Sequence, residues 1–241
     1  QRFDLDVRVN HEVLSIDREA QEILVANTLS GETRIEPYDA LILSPGVSPV
    51  ELSSDDSVPV LALHTVPELD SMLATLRTAP GAPVVVAGAG FIGLEVAENL
   101  VHRGVRVTLV QRSPQVLAPR DPGMAALLTD RLRDNGVDLR LNTRVDRIEA
   151  GEVFLSDGST HRPALVVNAI GVRPNTQVAA AAGLDIGPSG GIAVDAQQRT
   201  SDPEILAVGD AAEKVDAVDG QATIVTLAGL ANRPGRAAAD T

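Results

Sequence analysis

Gly88, Gly90 and Gly93 stand in G-x-G-x-x-G spacing directly after the apolar run Val84-Val85-Val86. Such a run reads as a short strand buried on both faces, as in a parallel sheet. Leu94, Ala97, Leu100 and Val101 follow at helical spacing, with Gly104 as the stop. Strand, glycine turn and helix in this order give the spacing its meaning. The first glycine permits a tight turn, the second leaves bare backbone for a pyrophosphate, and the third lets helix and strand pack closely. The helix start then offers unpaired N–H groups and the positive end of its dipole to an anion. Gly88, Gly90, Phe91, Ile92 and Gly93 are therefore candidate cofactor-binding residues. Three turn glycines in an ordinary α/β unit remain the plainer alternative.

An Asp or Glu about 20 residues beyond such a motif usually binds the adenosine ribose. Here the second strand, within Val105–Val110, runs into Gln111-Arg112-Ser113, so Gln111 takes the place of the acid. Glutamine brings no charge to repel a 2′-phosphate. Arg112 is able to pair with that phosphate bidentately, and Ser113 to donate to it. These residues point to NADPH. NADH stays possible, because Gln111 could bond a ribose hydroxyl while Arg112 is merely solvated.

The rest of the chain supports an α/β fold. Phe3, Leu5, Val7 and Val9 alternate as in a half-buried strand, and Ile23–Val25 and Leu41–Leu43 add short apolar runs. The polar stretch Glu51–Ser57 reads as a linker or domain crossing. Thr65 and Glu68 form a capping-box pattern ahead of Leu69, Met72, Leu73 and Leu76. Asp121-Pro122 opens a helix carrying Leu127, Leu128, Arg131 and Leu132. Asp157-Gly158 marks a hairpin, Ala164–Ile170 another buried strand, and further strands are expected near Ile192–Val194 and Ile205–Val208. An Ala-rich helix covers about 228–240.

Composition removes several functions. The 33 acidic against 20 basic residues give a net charge of −13, which repels nucleic acid. Four aromatics, Phe3, Tyr38, Phe91 and Phe154, are too few for a base-stacking platform. No cysteine is present, and His11, His64, His102 and His161 have no metal-ligand spacing, so no catalytic thiol and no metal site are expected in these residues. No apolar run reaches the roughly 18–20 residues of a membrane span.

Three further segments share one form. Tyr38–Gly46 is a strand running into a glycine turn, Val166–Asn175 repeats the pattern, and Thr200–Ala211 ends a strand in Gly209-Asp210. With the glycine loop, they resemble the FAD-dependent pyridine nucleotide-disulfide oxidoreductase family. The segment Thr226–Arg236 is similar to the branch holding coenzyme A-disulfide reductases, NADH oxidases and persulfide reductases. The resemblance implies a Rossmann-like NAD(P)-binding domain with an antiparallel β layer at 67–175. It further implies that 1–66 and 176–241 are parts of an interleaved FAD-binding domain. It implies FAD and a pyridine nucleotide as cofactors, NADPH by the Gln111-Arg112-Ser113 reading with NADH possible, and a small disulfide, a persulfide or O2 as acceptor.

By the same resemblance, Asp210, beside Gly209, accepts a hydrogen bond from the flavin's ribityl chain. Leu227 and Ala228 lie beside the flavin ring, and Ser44 and Gly46 line the flavin side of the first crossing. Phe91 covers the nicotinamide pocket, Glu95 reaches the nicotinamide or flavin edge, and Gly171 lies near the cofactor. Taken alone, Asp210 could be a strand-end turn and Phe91 a core aromatic. The family usually has Gln where this chain has Pro234, which lacks a backbone donor and threatens the geometry of the last helix. The family's first glycine loop, its redox cysteine and the C-terminal domain that makes a homodimer are expected to lie outside these 241 residues. A cytoplasmic protein that is inactive as this piece alone is the corresponding expectation. A cysteine-independent ferredoxin-reductase-type flavoprotein and a non-catalytic nucleotide-binding module remain alternatives.

Overall fold

The computed structural model of the protein describes residues 5–118 and 120–240. Phe3, expected in the first strand, lies outside them. The chain divides into two compact units, Pro49–Val172 and the pair of segments Gln1–Ser48 and Arg173–Thr241.

Pro49–Val172 is built on a five-stranded sheet in the order Val60–Leu61, Leu165–Asn168, Val84–Ala87, Val107–Val110, Asp138–Arg140. Each neighbouring pair is parallel. From the central strand Val84–Ala87 the chain winds outward on one side to Val107–Val110 and Asp138–Arg140. Leu165–Asn168 and Val60–Leu61 fill the other side. That reversal is the switch point at which open α/β sheets hold ligands.

Alternate residues of the central strands face opposite layers. Val84, Val86, Leu109, Leu165 and Val167 pack with Met72, Val96, Ala97 and Leu100 of two helices, Val66–Thr78 and Phe91–His102. Val85, Val110 and Val166 pack with Ile148, Val153 and Leu155 of an antiparallel layer, Val145–Glu149, Glu152–Leu155 and Thr160–His161. Cover on both faces is why these strands read as unbroken apolar runs. Each fully buried Val or Leu there contributes roughly 1.5–3 kcal/mol relative to exposure.

The helix starts follow their caps. Thr65 accepts from the Glu68 N–H, and the Glu68 carboxylate accepts from the N–H groups of His64 and Thr65, both at 2.8 Å. Burial pushes the Glu68 carboxyl up, but these donors outweigh it and hold it below its ordinary range. Asp121 accepts from Gly123 N–H at 2.8 Å and opens Pro122–Asp134. The inner face of that helix differs from expectation. Ala125 and Thr129 are buried, one turn apart, while Leu127 is 73% exposed. Leu127 lies about 200° around the helix from Ala125, so it cannot share that face.

Glu51–Ser57 is not a free linker. Asp55 N–H donates to Ile148 O at 3.1 Å, Ala150 N–H to Asp55 Oδ2 at 2.9 Å, and Gly151 N–H to Ser57 Oγ at 2.8 Å, which lays the segment along the antiparallel layer. The two compact units divide at 48/49 and 172/173; the domain bounds that the resemblance implies lie at 66/67 and 175/176. Val60–Leu61 already belongs to the parallel sheet.

In the other unit Leu41–Leu43 and Ile205–Ala207 pair in parallel, and His11–Asp17, Glu22–Asn27 and Thr33–Pro37 form an antiparallel sheet. Ile205 and Ala207 pack with Ile16, Ala179, Leu184 and Ile192, while Leu206 and Val208 pack with Ala238 of the helix Ala228–Ala239. That helix runs unbroken through Pro234. The alternation at Leu5, Val7 and Val9 makes no strand, and all three are more than 70% exposed. It pairs with neither outer edge of the antiparallel sheet, at His11–Asp17 or at Thr33–Pro37. The strand expected at Ile192–Val194 reduces to single bridges from Ile192 to Ile186 and to Ala212.

Arg18 Nε donates to Asp202 Oδ2 at 2.8 Å and Arg18 Nη1 to Gly183 O at 3.1 Å, tying three loops of this unit together. The hydrogen bond from Arg18 holds the Asp202 carboxyl below its ordinary value. A depressed folded-state pKa stabilises above the unfolded value, and the effect is lost as pH falls through the folded one. Asp202→Asn is therefore expected to flatten the decline of melting temperature between about pH 5 and pH 2. An acid limb as steep as the wild type's would remove this pair from the acid response.

Candidate functional site

The sharpest geometry lies at the end of Val84–Ala87. Gly88 has φ +103°, and a Cβ built on it would overlap the carbonyl of Ala169 and stand 3.0 Å from Ile170 N. A Cβ on Gly93 would overlap the carbonyl of Gly88. These two glycines are required by the chain's own backbone. Gly90 is not. It has φ −81°, caps Phe91–His102 without a side-chain hydrogen bond, and a Cβ there meets nothing within 4 Å. Its bare backbone opens a cradle beneath helix N–H groups.

Gly88, Gly90, Gln111, Arg112 and Gly171 line one cavity of about 570 Å³, together with Thr143, Arg144 and Ala169. Five of the residues expected from the sequence thus come together. Gln111 does more than line it. Its Oε1 accepts from Ala89 N–H at 2.8 Å, and its Nε2 donates to Ser113 Oγ, which donates in turn to Gln115 O at 2.9 Å. The amide therefore clamps the glycine loop to the next strand end, and Ser113 supports that clamp from outside the cavity wall. Backbone bonds from Gln111 N–H to Arg140 O and from Thr143 N–H to Gln111 O, at 2.8 and 2.9 Å, hold the neighbouring loop against the same strand end. Arg112 is exposed, with no hydrogen bond or ion pair among the described residues.

Phe91 and Glu95 stand apart from that cavity. They line a second one, of about 390 Å³, with Leu128 and Arg131 of Pro122–Asp134. Phe91 is 56% exposed, so it is no core aromatic, and the Arg120 guanidinium lies 5.6 Å from its ring centroid. Ile92 is 49% exposed and lines neither cavity. Gly93 is buried beneath the loop.

In the other unit, Ser44 and Gly209 follow the paired strands Leu41–Leu43 and Ile205–Ala207, and Ser44 Oγ lies 3.3 Å from where a Gly209 Cβ would stand. Gly209–Ala211 forms a single turn that packs against Ala228–Ala239 and presents Asp210, half-buried, with no hydrogen-bond donor among the described residues. Leu227 precedes that helix without capping it through its side chain, and Ala228 opens it. Gly46 has φ +66°, and its carbonyl accepts from Asn175 N–H at 3.0 Å, while Asn175 Nδ2 donates to Pro45 O at 2.9 Å.

Lys214 was not legible in the sequence, since no spacing rule marks it. Its Nζ donates to Gly209 O at 2.9 Å and Ala212 O at 3.2 Å, closing the turn that carries Asp210. Burial lowers its pKa, and the negative charge of Asp210 opposes that shift. Arg144 was missed for the same reason.

The chain matches the model of the family described as pyridine nucleotide-disulphide oxidoreductase over residues 1–233. It is 31% identical to a coenzyme A disulfide reductase of Staphylococcus aureus, over 88% of this chain and 48% of that protein. It thus spans about half the length of the curated relatives it matches. A crystal structure of reduced CoADR-RHD from Bacillus anthracis superposes with TM-score 0.95 at 39% identity, over 99% of this chain and 44% of that one. An NAD-dependent persulfide reductase from A. fulgidus gives 0.92 at 32% identity, over 98% and 44%.

Proposed function

Because the chain belongs to the pyridine nucleotide-disulphide oxidoreductase family, we propose that it forms the pyridine-nucleotide site and part of the flavin site of an FAD-dependent NAD(P)H oxidoreductase. Its acceptor is a small disulfide, a persulfide or O2. The observation that carries the reading is Gly90: nothing in the chain itself requires a glycine there, whereas a pyrophosphate does. The donor set agrees. A helix start without a side-chain cap, a cavity rim bearing Arg112 and a clamped loop suit a phosphorylated dinucleotide.

Gly88, Gly90 and Gly93 shape the loop, Phe91 and Ile92 offer N–H groups, and Gln111 with Ser113 holds the loop's position. Arg112 pairs with a ribose phosphate, giving NADPH preference over NADH. On the flavin side Asp210 is an acceptor-only group suited to a ribityl hydroxyl. Ser44, Gly46 and Gly209 line its approach, and Leu227 and Ala228 bring the positive end of a helix dipole. By the family resemblance Phe91 and Glu95 serve the nicotinamide end, outside the glycine-loop cavity, and Gly171 lines that cavity. When bound, the nicotinamide supplies a hydride and the flavin passes the electron pair to the acceptor. By resemblance to the coenzyme A-disulfide reductase branch, the whole protein works as a homodimer in the cytoplasm.

Anaerobic mixing of the FAD-loaded full-length protein with NADPH is expected to bleach the flavin absorbance, and NADH to do so at least about tenfold less efficiently. A protein that binds FAD yet keeps its colour with both nucleotides overturns the reading. Turnover with a ferredoxin and none with a disulfide, persulfide or O2 would reassign the acceptor.

A further inference from the structure

We propose that Arg144, carried by the loop into the antiparallel layer, is the second arm of a two-arginine clamp that selects a 2′-phosphorylated adenine dinucleotide. The inference rests on the nucleotide-binding reading above and adds a specificity-determining residue to the same cavity.

Charge distribution is the first argument. The chain carries −13 overall, yet the wall of the glycine-loop cavity includes Arg112 and Arg144 and no Asp or Glu. A chain this acidic repels a phosphate dianion at long range, so two guanidiniums at one rim invert the field only locally.

The second argument is that Gln111 is already engaged. Both ends of its amide serve the loop, through Ala89 N–H and Ser113 Oγ. Turning it toward a ribose hydroxyl would break the clamp on the glycine loop. Recognition at the ribose therefore falls to the cations beside it.

Placement is the third. Thr143 N–H bonds to Gln111 O, so Arg112 and Arg144 each follow a residue of one backbone hydrogen bond. Arg144 is pinned further: its N–H donates to Ser156 Oγ at 3.0 Å, and its carbonyl accepts from Ser156 N–H at 3.0 Å. The backbone is fixed while the side chain stays free to reorient. Its ion pair, Nε to Asp146 Oδ1 at 2.8 Å, is exposed on both sides, at 65% and 36%. Such a pair is weak and exchanges readily for a dianionic phosphate.

Titration calorimetry of the protein with NADPH, NADH, 2′,5′-ADP and 3′,5′-ADP tests this without turnover. Arg144→Ala is expected to weaken NADPH and 2′,5′-ADP by about tenfold or more while leaving NADH within about twofold. Arg144→Lys should recover only part, since an ammonium lacks the bidentate fork. Asp146→Asn, which releases Arg144, should tighten NADPH by roughly twofold. An Arg144→Ala protein that loses both nucleotides equally, or neither, overturns the clamp while leaving the nucleotide site standing. Equal affinity for 3′,5′-ADP and 2′,5′-ADP overturns selection of the 2′ position. Failure of the wild type to bind any of the four removes the nucleotide reading itself, and the clamp with it. Because the Arg144 side chain is exposed, unchanged thermal unfolding should accompany each variant.

Discussion

Alanine at Gly88 is expected to destabilise the unit Pro49–Val172 by more than about 4 kcal/mol, in the range reserved for gross steric conflict. Two effects act together. The φ of +103° is one that an L side chain rarely adopts, and the added Cβ would overlap the Ala169 carbonyl. Neither strand end can yield cheaply. Gly88 N–H is bonded to Val110 O and Ala169 N–H to Ala87 O, both at 2.7 Å. Relief would have to separate two central strands of the parallel sheet, whose side chains are buried on both faces. Urea unfolding of Gly88→Ala should show a loss of soluble folded protein or a greatly lowered midpoint. A midpoint equivalent to within about 1 kcal/mol of wild type would contradict the close backbone approach.

Two residues further on, Gly90→Val is expected to give the opposite result. Its φ of −81° suits any L residue, and the new side chain enters open space. The stability cost should stay near the ~1 kcal/mol of replacing a favourable N-cap residue. Nucleotide affinity should fall by about 100-fold or more, because the side chain fills the space above the helix N–H groups where a pyrophosphate must approach. Calorimetry with NADPH beside a melting curve separates the two quantities. Retained nucleotide binding in a folded Gly90→Val protein would sink the site assignment. The contrast between two glycines of one motif also separates fold from function more cleanly than a catalytic mutation could.

Much of this architecture was readable from local chemistry. Val84-Val85-Val86 is apolar at every position because both faces of its strand are covered, and the Thr65–Glu68 and Asp121-Pro122 starts follow from orphan N–H groups that need acceptors. Where the reading failed, a partner decided the outcome. Leu5, Val7 and Val9 alternate like a strand, but no strand among the described residues pairs with them, and all three stay exposed. Leu127 has a hydrophobic side chain at helical spacing, but the sheet lies under Ala125 and Thr129. Glu51–Ser57 is polar like a linker, but its polar groups meet the N–H groups of Ala150 and Gly151.

The site divides in the same manner. Sequence by itself determined the glycine loop, the order of the motifs around it and the family. Short-range constraints such as a tight turn, a cap or a buried strand each impose a residue type at a fixed spacing. Tertiary structure alone decided what Gln111 does, and it brought Arg144 to the cavity that Arg112 lines. The physical reason is distance along the chain. Gln111 meets Ala89, and Arg144 joins the cavity of the glycine loop, only after strands far apart in sequence have paired, and no local pattern records which polar side chain will find which backbone group.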